Sequence, residues 1–244
     1  MNAVGIPSGV YNVVHGFGPG STGEFLSSHP GVDALTFTGE SATGEAIMTA
    51  AARGVRPVSL ELGGKNPAIV FDDADMEQTL EGLGRSCFAN TGQVCLGTER
   101  LYVQRSVFDE VVERLGQKAK EYCFGDPFNA STTMGPLISA EHRSKVLSYY
   151  SQARESGATV IVGGGVPTVA NHDNGYWIEP TVWTGLTEDS SVVRDEIFGP
   201  CTHVTPFDDE EEALTLANNS PYGLATSLWT SNLSRAHRVS RQIE

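Results

Sequence analysis

The feature that most constrains the fold of this chain is a repeated alternation of short apolar runs, glycine-rich turns and helical stretches. Near the start, apolar runs at 10–14, 32–39 and 58–64 predict three strands. The stretch 41–55 predicts a helix that Ser41 could cap. Because strands that alternate with helices form parallel sheets through right-handed crossovers, this opening predicts half of a doubly wound α/β domain.

The same alternation begins again after Lys65. Further strands are predicted at 66–71, 100–104, 159–164 and 226–230, and helices at 73–92, 106–122, 139–158 and 232–244. The helix over 106–122 is amphipathic, and one of its faces carries Val107, Val111, Val112, Leu115 and Ala119. The acidic run at 208–213 is typical of a solvated helix start. Both ends of the chain interrupt a helical pattern, so we expect an internal fragment of a longer protein.

Composition excludes several function classes. With 30 acidic and 16 basic residues the net charge is −14, which disfavours nucleic acid and anionic membranes as partners. No apolar run approaches the roughly 20 residues that span a bilayer, and the start lacks the pattern of a secretory signal, so we expect a cytoplasmic protein. The 4 cysteines and 6 histidines show no zinc-ligand spacing, and no metal site is predicted.

Cys95 is the first candidate for chemistry. It follows a predicted helix and the polar residues 90–93, whereas Cys87 lies between apolar neighbours as a filler cysteine does. A nucleophilic cysteine needs a polar, partly exposed setting that stabilises the thiolate. From the residues alone, both a filler thiol and a nucleophile remain open for Cys95.

Glu61 and two glycine-rich turns are the other candidates. Glu61 ends a predicted strand in the run "LELGGK", where its carboxylate could form a surface ion pair with Lys65 or act as a base in a cleft. The runs at 16–23 and 39–44 follow strands and open helices, as glycines that admit a pyrophosphate do. Neither run matches the full dinucleotide fingerprint, so ordinary turn glycines remain an alternative.

Taken in order, the motifs resemble one family. "FTGE", "LELGGKNPAIVFDDAD", "FANTGQVCLGTER", "MGPLIS", "IEPTV", "DEIFGP" and "YGLA" together resemble the NAD(P)-dependent aldehyde dehydrogenase superfamily over the whole chain. Four stretches resemble the corresponding sequences of its 2-hydroxymuconic semialdehyde dehydrogenase branch, which acts in meta-cleavage of catechols: "YNVVHGFG", "FTGE", "QVCLGTER" and "EIFGPC". Branches that oxidise betaine aldehyde or aliphatic aldehydes remain alternatives, as do a CoA-acylating relative and a non-catalytic structural relative.

The resemblance implies a fold, a cofactor and a set of site residues. The implied fold is the α/β aldehyde dehydrogenase fold, with residues 1–63 as the C-terminal part of a Rossmann-like NAD-binding domain and 64–244 as a catalytic domain truncated at its C-terminus. It implies Cys95 as the nucleophile and Glu61 as the general base. The implied cofactor contacts are Gly39, Glu40, Gly44, Leu62, Glu196 and Phe198.

The resemblance also sets expectations for the whole protein. Many relatives carry serine where this chain has Glu40, and a carboxylate beside a pyrophosphate costs electrostatic energy unless it points elsewhere or meets a ribose. The implied cofactor is NAD, although the position that separates NAD from NADP lies outside the chain. The full enzyme is implied to be a homodimer or homotetramer that acts on a small aldehyde. We expect the 244-residue chain alone to be inactive and poorly folded.

Overall fold

The computed structural model describes residues 4–169 and 174–244. Within these ranges the chain packs as two units, one that ends at Gly63 and one that comprises Gly64–Glu244. The first unit contains, in chain order, α1 (Thr22–Ser28), β1 (Leu35–Thr38), α2 (Ser41–Ala52) and β2 (Val58–Glu61). Strands β1 and β2 pair in parallel, with Leu35 opposite Val58 and Thr38 opposite Glu61, and α2 forms the crossover between them. The predicted strand–helix–strand order is confirmed here.

The predicted strand at 10–14 is wrong. Val10, Tyr11, Val13 and Val14 are 59–70% exposed and adopt no strand. A strand needs a neighbouring backbone to pair its N–H and C=O groups, and the hydrogen bonds here are local, such as that from the Val10 N–H to the Pro7 carbonyl at 3.3 Å. An apolar run without a partner therefore stays irregular, and the described residues of this unit form a two-stranded sheet.

The predicted cap of α2 is also wrong. Ser41 is the first helical residue, and Glu40 occupies the N-cap position without a side-chain hydrogen bond to the helix. The first helical turn contains no acidic residue. The N-terminal N–H groups of α2 therefore have no capping side chain.

The second unit contains the larger sheet. Its elements are β3 (Asn66–Val70), α3 (Met76–Phe88), β4 (Thr98–Gln104), α4 (Phe108–Lys120), α5 (Ala140–Glu155), β5 (Thr159–Val162), β6 (Thr181–Thr184), α6 (Ser191–Arg194), β7 (Cys201–Phe207), α7 (Glu210–Asn218), β8 (Ser227–Trp229) and α8 (Leu233–Ser240). The strand order is β5-β6-β7-β4-β3-β8, and every pair is parallel except β5 with β6. The predicted α/β class is confirmed.

Helices cover both faces of this sheet. Ala68 and Val70 of β3 belong to the apolar cluster that includes α3 and α4, whereas Ile69 and Phe71 belong to the cluster that includes α7 and α8. This division follows from the alternation of side chains along a strand. Because both faces are buried, β3 is apolar at nearly every position rather than at every second one.

Helix boundaries follow the predicted signals closely. Asp75 caps α3 by accepting the Gln78 N–H at 3.1 Å, and Asp209 caps α7 by accepting the Glu212 N–H at 2.9 Å. The acidic run thus begins a helix, as predicted, and Gly157 follows α5 with a left-handed φ of 86°. The predicted apolar face of α4 is buried at Val111, Val112, Leu115 and Ala119, while Val107 precedes the helix and packs against the same cluster.

Candidate active site

Cys95 lies in the segment that joins α3 to β4. Its side chain is half-buried, and it is a free thiol. The segment opens with three successive residues in the left-handed region, namely Asn90, Thr91 and Gly92 with φ of 51°, 57° and 70°. Left-handed backbone at non-glycine residues is uncommon and tends to occur at functional sites. The loop that carries Cys95 is therefore a specific structure and not a loose connection.

The other cysteines differ from Cys95 in setting. Cys87 is buried in the cluster beneath α3, and burial raises the pKa of its thiol to about 12. Cys201 is also buried, and its pKa is raised well above the ordinary value for the same reason. Cys123 is exposed in a loop. The prediction that Cys87 is a filler thiol is confirmed, and Cys95 is the half-buried cysteine on the constrained loop.

Asn66 holds the carbonyl groups that flank the nucleophile candidate. Its amide nitrogen donates to the Cys95 carbonyl at 2.6 Å and to the Gly97 carbonyl at 2.9 Å. Its amide oxygen accepts the Ala225 N–H at 3.1 Å. Asn66 is 4% exposed, so these bonds satisfy a buried amide and fix the backbone at Cys95. Sequence reasoning missed this residue, although a polar amide that begins a buried strand is a usable signal.

Further contacts fix the loop before Cys95. The Thr91 hydroxyl donates to the Gly135 carbonyl at 2.9 Å, and the Gln93 side chain accepts the Ile138 N–H at 3.0 Å. Gly92 lies so close to Gly199 that a Cβ at position 92 would overlap the Gly199 carbonyl. Glycine is therefore required there for space as well as for its left-handed φ.

The segment Glu196–Phe198 lies in the same unit. The Glu196 carboxylate accepts the Gly64 N–H at 3.0 Å, and burial raises the pKa of that carboxyl above its usual range, an effect that the Gly64 bond opposes. Phe198 has a left-handed φ of 61°, a disfavoured conformation for a bulky residue. Its carbonyl accepts a hydrogen bond from His142 Nε2 at 2.7 Å, so Nε2 carries the proton.

A buried ion pair supports this segment. Lys65 and Glu99 are 1% and 7% exposed, and the Lys65 ammonium contacts the Glu99 carboxylate. Glu99 also accepts the Ile197 N–H at 3.0 Å and the Phe198 N–H at 2.7 Å. Lys65 is therefore buried and already has a carboxylate partner, so it does not form the surface ion pair with Glu61 that the sequence left open. Sequence reasoning missed Glu99; the signal was a carboxylate near the start of a strand whose central residues are apolar.

The remaining predicted site residues lie in the first unit. Glu61 ends β2 with an exposed side chain, and its carbonyl accepts the Gly39 N–H at 3.0 Å. Gly44 is buried in α2 against Leu62, since a Cβ at Gly44 would lie 2.5 Å from Leu62 Cδ2. Glu40 is exposed at the N-cap position of α2. The structure thus brings Gly39, Glu40, Gly44 and Leu62 together around the end of β2 and the start of α2.

This arrangement can hold a phosphate group. The N-terminal turn of α2 has no side-chain cap, and unpaired N–H groups at a helix start bind phosphate oxygens with the help of the helix dipole. In the described residues no group of three or more metal-ligating side chains comes together, and no helix among them is long and apolar enough to cross a membrane.

Comparison with known proteins defines the class of this fold and site. The model of the aldehyde dehydrogenase family matches residues 1–244. The chain belongs to the aldehyde dehydrogenase family.

Two curated relatives differ in their sequence identity to this chain. The chain is 61% identical to a 2-hydroxymuconic semialdehyde dehydrogenase of Pseudomonas sp. (strain CF600) over 100% of its length and 50% of that protein. It is 43% identical to a betaine aldehyde dehydrogenase of Vibrio vulnificus (strain CMCP6), over 98% of the chain and 49% of that protein. The chain spans about half the length of the curated relatives it matches.

A solved structure shares the fold. The betaine aldehyde dehydrogenase of Staphylococcus aureus in complex with NAD+ superposes with a TM-score of 0.94 at 40% identity, over 99% of this chain and 48% of that one. The predicted family and the predicted aldehyde dehydrogenase fold are therefore confirmed.

Proposed function

We propose that the protein carrying this chain oxidises an aldehyde to a carboxylic acid with NAD+, with Cys95 as nucleophile and Glu61 as general base. The observation that carries the proposal is the setting of Cys95. Its half-buried thiol follows three residues with left-handed backbone, and the Asn66 amide donates to the Cys95 carbonyl at 2.6 Å. A nucleophile must be both accessible and held in one orientation. Membership of the aldehyde dehydrogenase family supports the same role.

The backbone at Cys95 adds support. Its N–H donates to no other group in residues 4–169 and 174–244. A free N–H beside the attacked carbon can stabilise the oxyanion that forms as sulfur adds to a carbonyl group. We assign this donor to the oxyanion.

The chemistry of the chain's own residues follows from these roles. The Cys95 thiolate adds to the aldehyde carbon, and the resulting thiohemiacetal loses hydride from that carbon to give a thioester. Glu61 takes a proton from the water that attacks the thioester, which releases the carboxylic acid and the thiolate. Bound NAD+ supplies the acceptor for the hydride.

We assign residues 1–63 to the cofactor domain and residues 64–244 to the catalytic domain. The uncapped start of α2, with Gly39 before it and Gly44 packed against Leu62, fits the pyrophosphate of NAD. The relative from Staphylococcus aureus, which binds NAD+, supports this cofactor. Glu40 is exposed and can direct its carboxylate to solvent or to a ribose hydroxyl. Glu196 and Phe198 are assigned to the nicotinamide half.

The proposed substrate is 2-hydroxymuconic semialdehyde. The relative that carries this name is 61% identical to the chain, whereas the betaine aldehyde dehydrogenase is 43% identical. A homodimer or homotetramer in the cytoplasm is the proposed form of the enzyme. The retained Glu61 favours hydrolysis of the thioester over transfer to CoA, and a non-catalytic relative would need neither Cys95 nor Glu61.

Two substitutions in the complete protein test these roles. Cys95→Ala is expected to abolish NADH production while NAD+ still binds, and Cys123→Ala, which removes an exposed thiol, serves as the matched control. Glu61→Gln is expected to slow steady turnover more than the first burst of NADH, since its role is deacylation. Equal loss in both phases would reassign Glu61 to activation of the thiol. Preference for betaine aldehyde over the semialdehyde would replace the proposed substrate.

A further inference from the structure

We propose that Glu99, paired with Lys65, is a positioning residue that holds the segment Glu196–Phe198 in its cofactor-contacting conformation. This inference rests on the proposed function, because that function assigns Glu196 and Phe198 to the nicotinamide half of NAD. Glu99 itself is assigned no contact with substrate or cofactor. Glu99 acts by binding the backbone of the segment Glu196–Phe198.

The Glu99 carboxylate accepts hydrogen bonds from three donors. One carboxylate oxygen accepts the Phe198 N–H at 2.7 Å, and the other accepts the Ile197 N–H at 3.0 Å together with the Lys65 ammonium. Two successive backbone N–H groups are thereby bound by one side chain. A glutamine has a single acceptor oxygen and would present its own N–H groups to the second donor.

These hydrogen bonds maintain a disfavoured backbone conformation at Phe198. Phe198 has a φ of 61°, which costs energy at any bulky residue and persists only where surrounding groups hold it. Glu99 binds its N–H, and His142 Nε2 binds its carbonyl at 2.7 Å. Both polar groups of the strained residue are therefore held, one from each side.

Burial of the Lys65–Glu99 ion pair costs free energy. A pair that is 1% and 8% exposed at its side chains loses most of its hydration, and such pairs seldom stabilise a fold more than apolar residues would. Stability alone is thus a weak reason for Lys65 and Glu99. The Glu99 carboxylate accepts the Ile197 and Phe198 N–H groups on separate oxygens, and Lys65 neutralises its charge in the interior.

The position of Glu99 in the chain also brings it close to the loop that carries Cys95. It is the second residue of β4, four positions after Cys95, and β4 pairs with β3, where Asn66 holds the Cys95 carbonyl. The start of β4 therefore anchors both the nucleophile loop and the Glu196–Phe198 segment.

The experiment uses the complete protein and measures the dissociation constant of NADH by fluorescence titration. Glu99→Gln and the double variant Lys65→Met/Glu99→Gln, which leaves no unpaired buried charge, are compared with the parent. The matched control is Glu188→Gln, which alters a half-buried carboxylate that accepts the Tyr102 hydroxyl at 2.8 Å. Glutamine keeps one acceptor oxygen, so the loss of one of the two backbone hydrogen bonds and of the charge on the remaining acceptor is expected to raise the NADH dissociation constant by about tenfold.

Further readouts separate positioning from simple loss of structure. The KM for the aldehyde and the rate at which iodoacetamide alkylates Cys95 are expected to stay within about twofold of the parent, because Asn66 still holds that loop. An NADH dissociation constant unchanged in the double variant, whatever its melting temperature, would overturn the proposal. So would a tenfold rise in Glu188→Gln.

A last variant covers the case in which neither Glu99 variant folds. His142→Ala keeps the Lys65–Glu99 pair and removes the donor to the Phe198 carbonyl together with an edge contact between the two rings, whose centroids are 6.0 Å apart. It is therefore also expected to weaken NADH binding, and unchanged binding would overturn the proposal. A parent that binds NADH but oxidises no aldehyde would refute the proposed activity and leave the comparison of dissociation constants valid. A parent that binds no NADH would refute both.

Discussion

Gly92 is the residue at which backbone conformation and close packing coincide. Its φ is 70°, and a Cβ there would overlap the Gly199 carbonyl. Gly92→Ala is therefore expected to lower the free energy of unfolding by at least about 2 kcal/mol, because it adds overlap to left-handed strain. Denaturant unfolding measures this change.

Gly157 provides a matched control for this prediction. Its φ is 86°, but a Cβ there would meet nothing within 4 Å. Gly157→Ala is expected to cost about 1 kcal/mol, the backbone strain alone. Equal losses at the two positions would show that the contact with Gly199 contributes nothing to the cost.

His203 makes stability depend on pH. Burial lowers its pKa from 6.5 to about 4, and its Nε2 accepts the Leu186 N–H at 3.1 Å, which requires a neutral ring. The unfolded chain takes up this proton near pH 6.5 and the folded chain only near pH 4, so the contribution of His203 is complete above pH 6.5 and is lost as pH falls toward 4.

The size of this effect is set by the distance between the two pKa values. We expect it to reach about 3 kcal/mol of unfolding free energy between pH 7 and pH 4. The measurement compares urea unfolding of the parent and of His203→Gln across that range. The parent should lose stability more steeply than the variant, and parallel profiles would contradict the prediction.

Sequence reasoning proposes candidate residues that stand in short motifs, and it missed residues whose contacts run across the fold. Cys95 and Glu61 stand in such motifs. Asn66 contacts the Cys95 carbonyl across 29 positions, and Glu99 contacts Lys65 across 34 and Phe198 across 99. No local pattern specifies partners at those separations, because only the sheet brings them together.

At the scale of elements, the cap of α3 is a direct target. Asp75 accepts the Gln78 N–H at 3.1 Å, and this helix leads into the loop that carries Cys95. Asp75→Ala is expected to lower the free energy of unfolding by about 1 kcal/mol, as loss of an N-cap does. Asp109 lies in the first turn of α4 but is not its N-cap residue. Asp109→Ala should therefore lower the free energy of unfolding by only about 0.3 kcal/mol. Thermal unfolding of both variants checks the difference, and equal shifts would contradict the role of the cap.

The same scale shows why helices were predicted better than strands. A helix satisfies its own backbone, so caps such as Asp75 and an amphipathic face such as that of α4 are enough to locate it. A strand depends on a partner, and the run at 10–14 has none among the described residues although its composition suits a strand. Ser41 shows the same limit for caps, since the turn begins one residue earlier, at Glu40.

At the scale of the whole molecule, the two units differ in how much core they contain. In the second unit, β4 lies between β3 and β7 in a six-stranded sheet, and six of its seven residues are buried. In the first unit, β1 and β2 form a two-stranded sheet in which half-buried residues alternate with exposed ones and no residue is fully buried. Large apolar residues of this unit, such as Phe17 and Phe25, are 87% and 71% exposed.

The 244-residue chain alone is expected to fold poorly, and this difference predicts that the loss of structure is concentrated in the first unit. Hydrogen exchange of that chain, followed by mass spectrometry, measures the distribution. Amides of β3, β4 and β7 are expected to exchange slowest, because they open only when the central sheet unfolds. Amides of β1 and β2 should exchange faster, since a pair of strands with one partner each is marginally stable. Residues 11–14, which lie outside any strand, provide the internal reference for unprotected backbone. Slower exchange of the β1 and β2 amides than of the β4 amides would place the most stable structure in the first unit. The exposure of apolar side chains in that unit would then not indicate low stability.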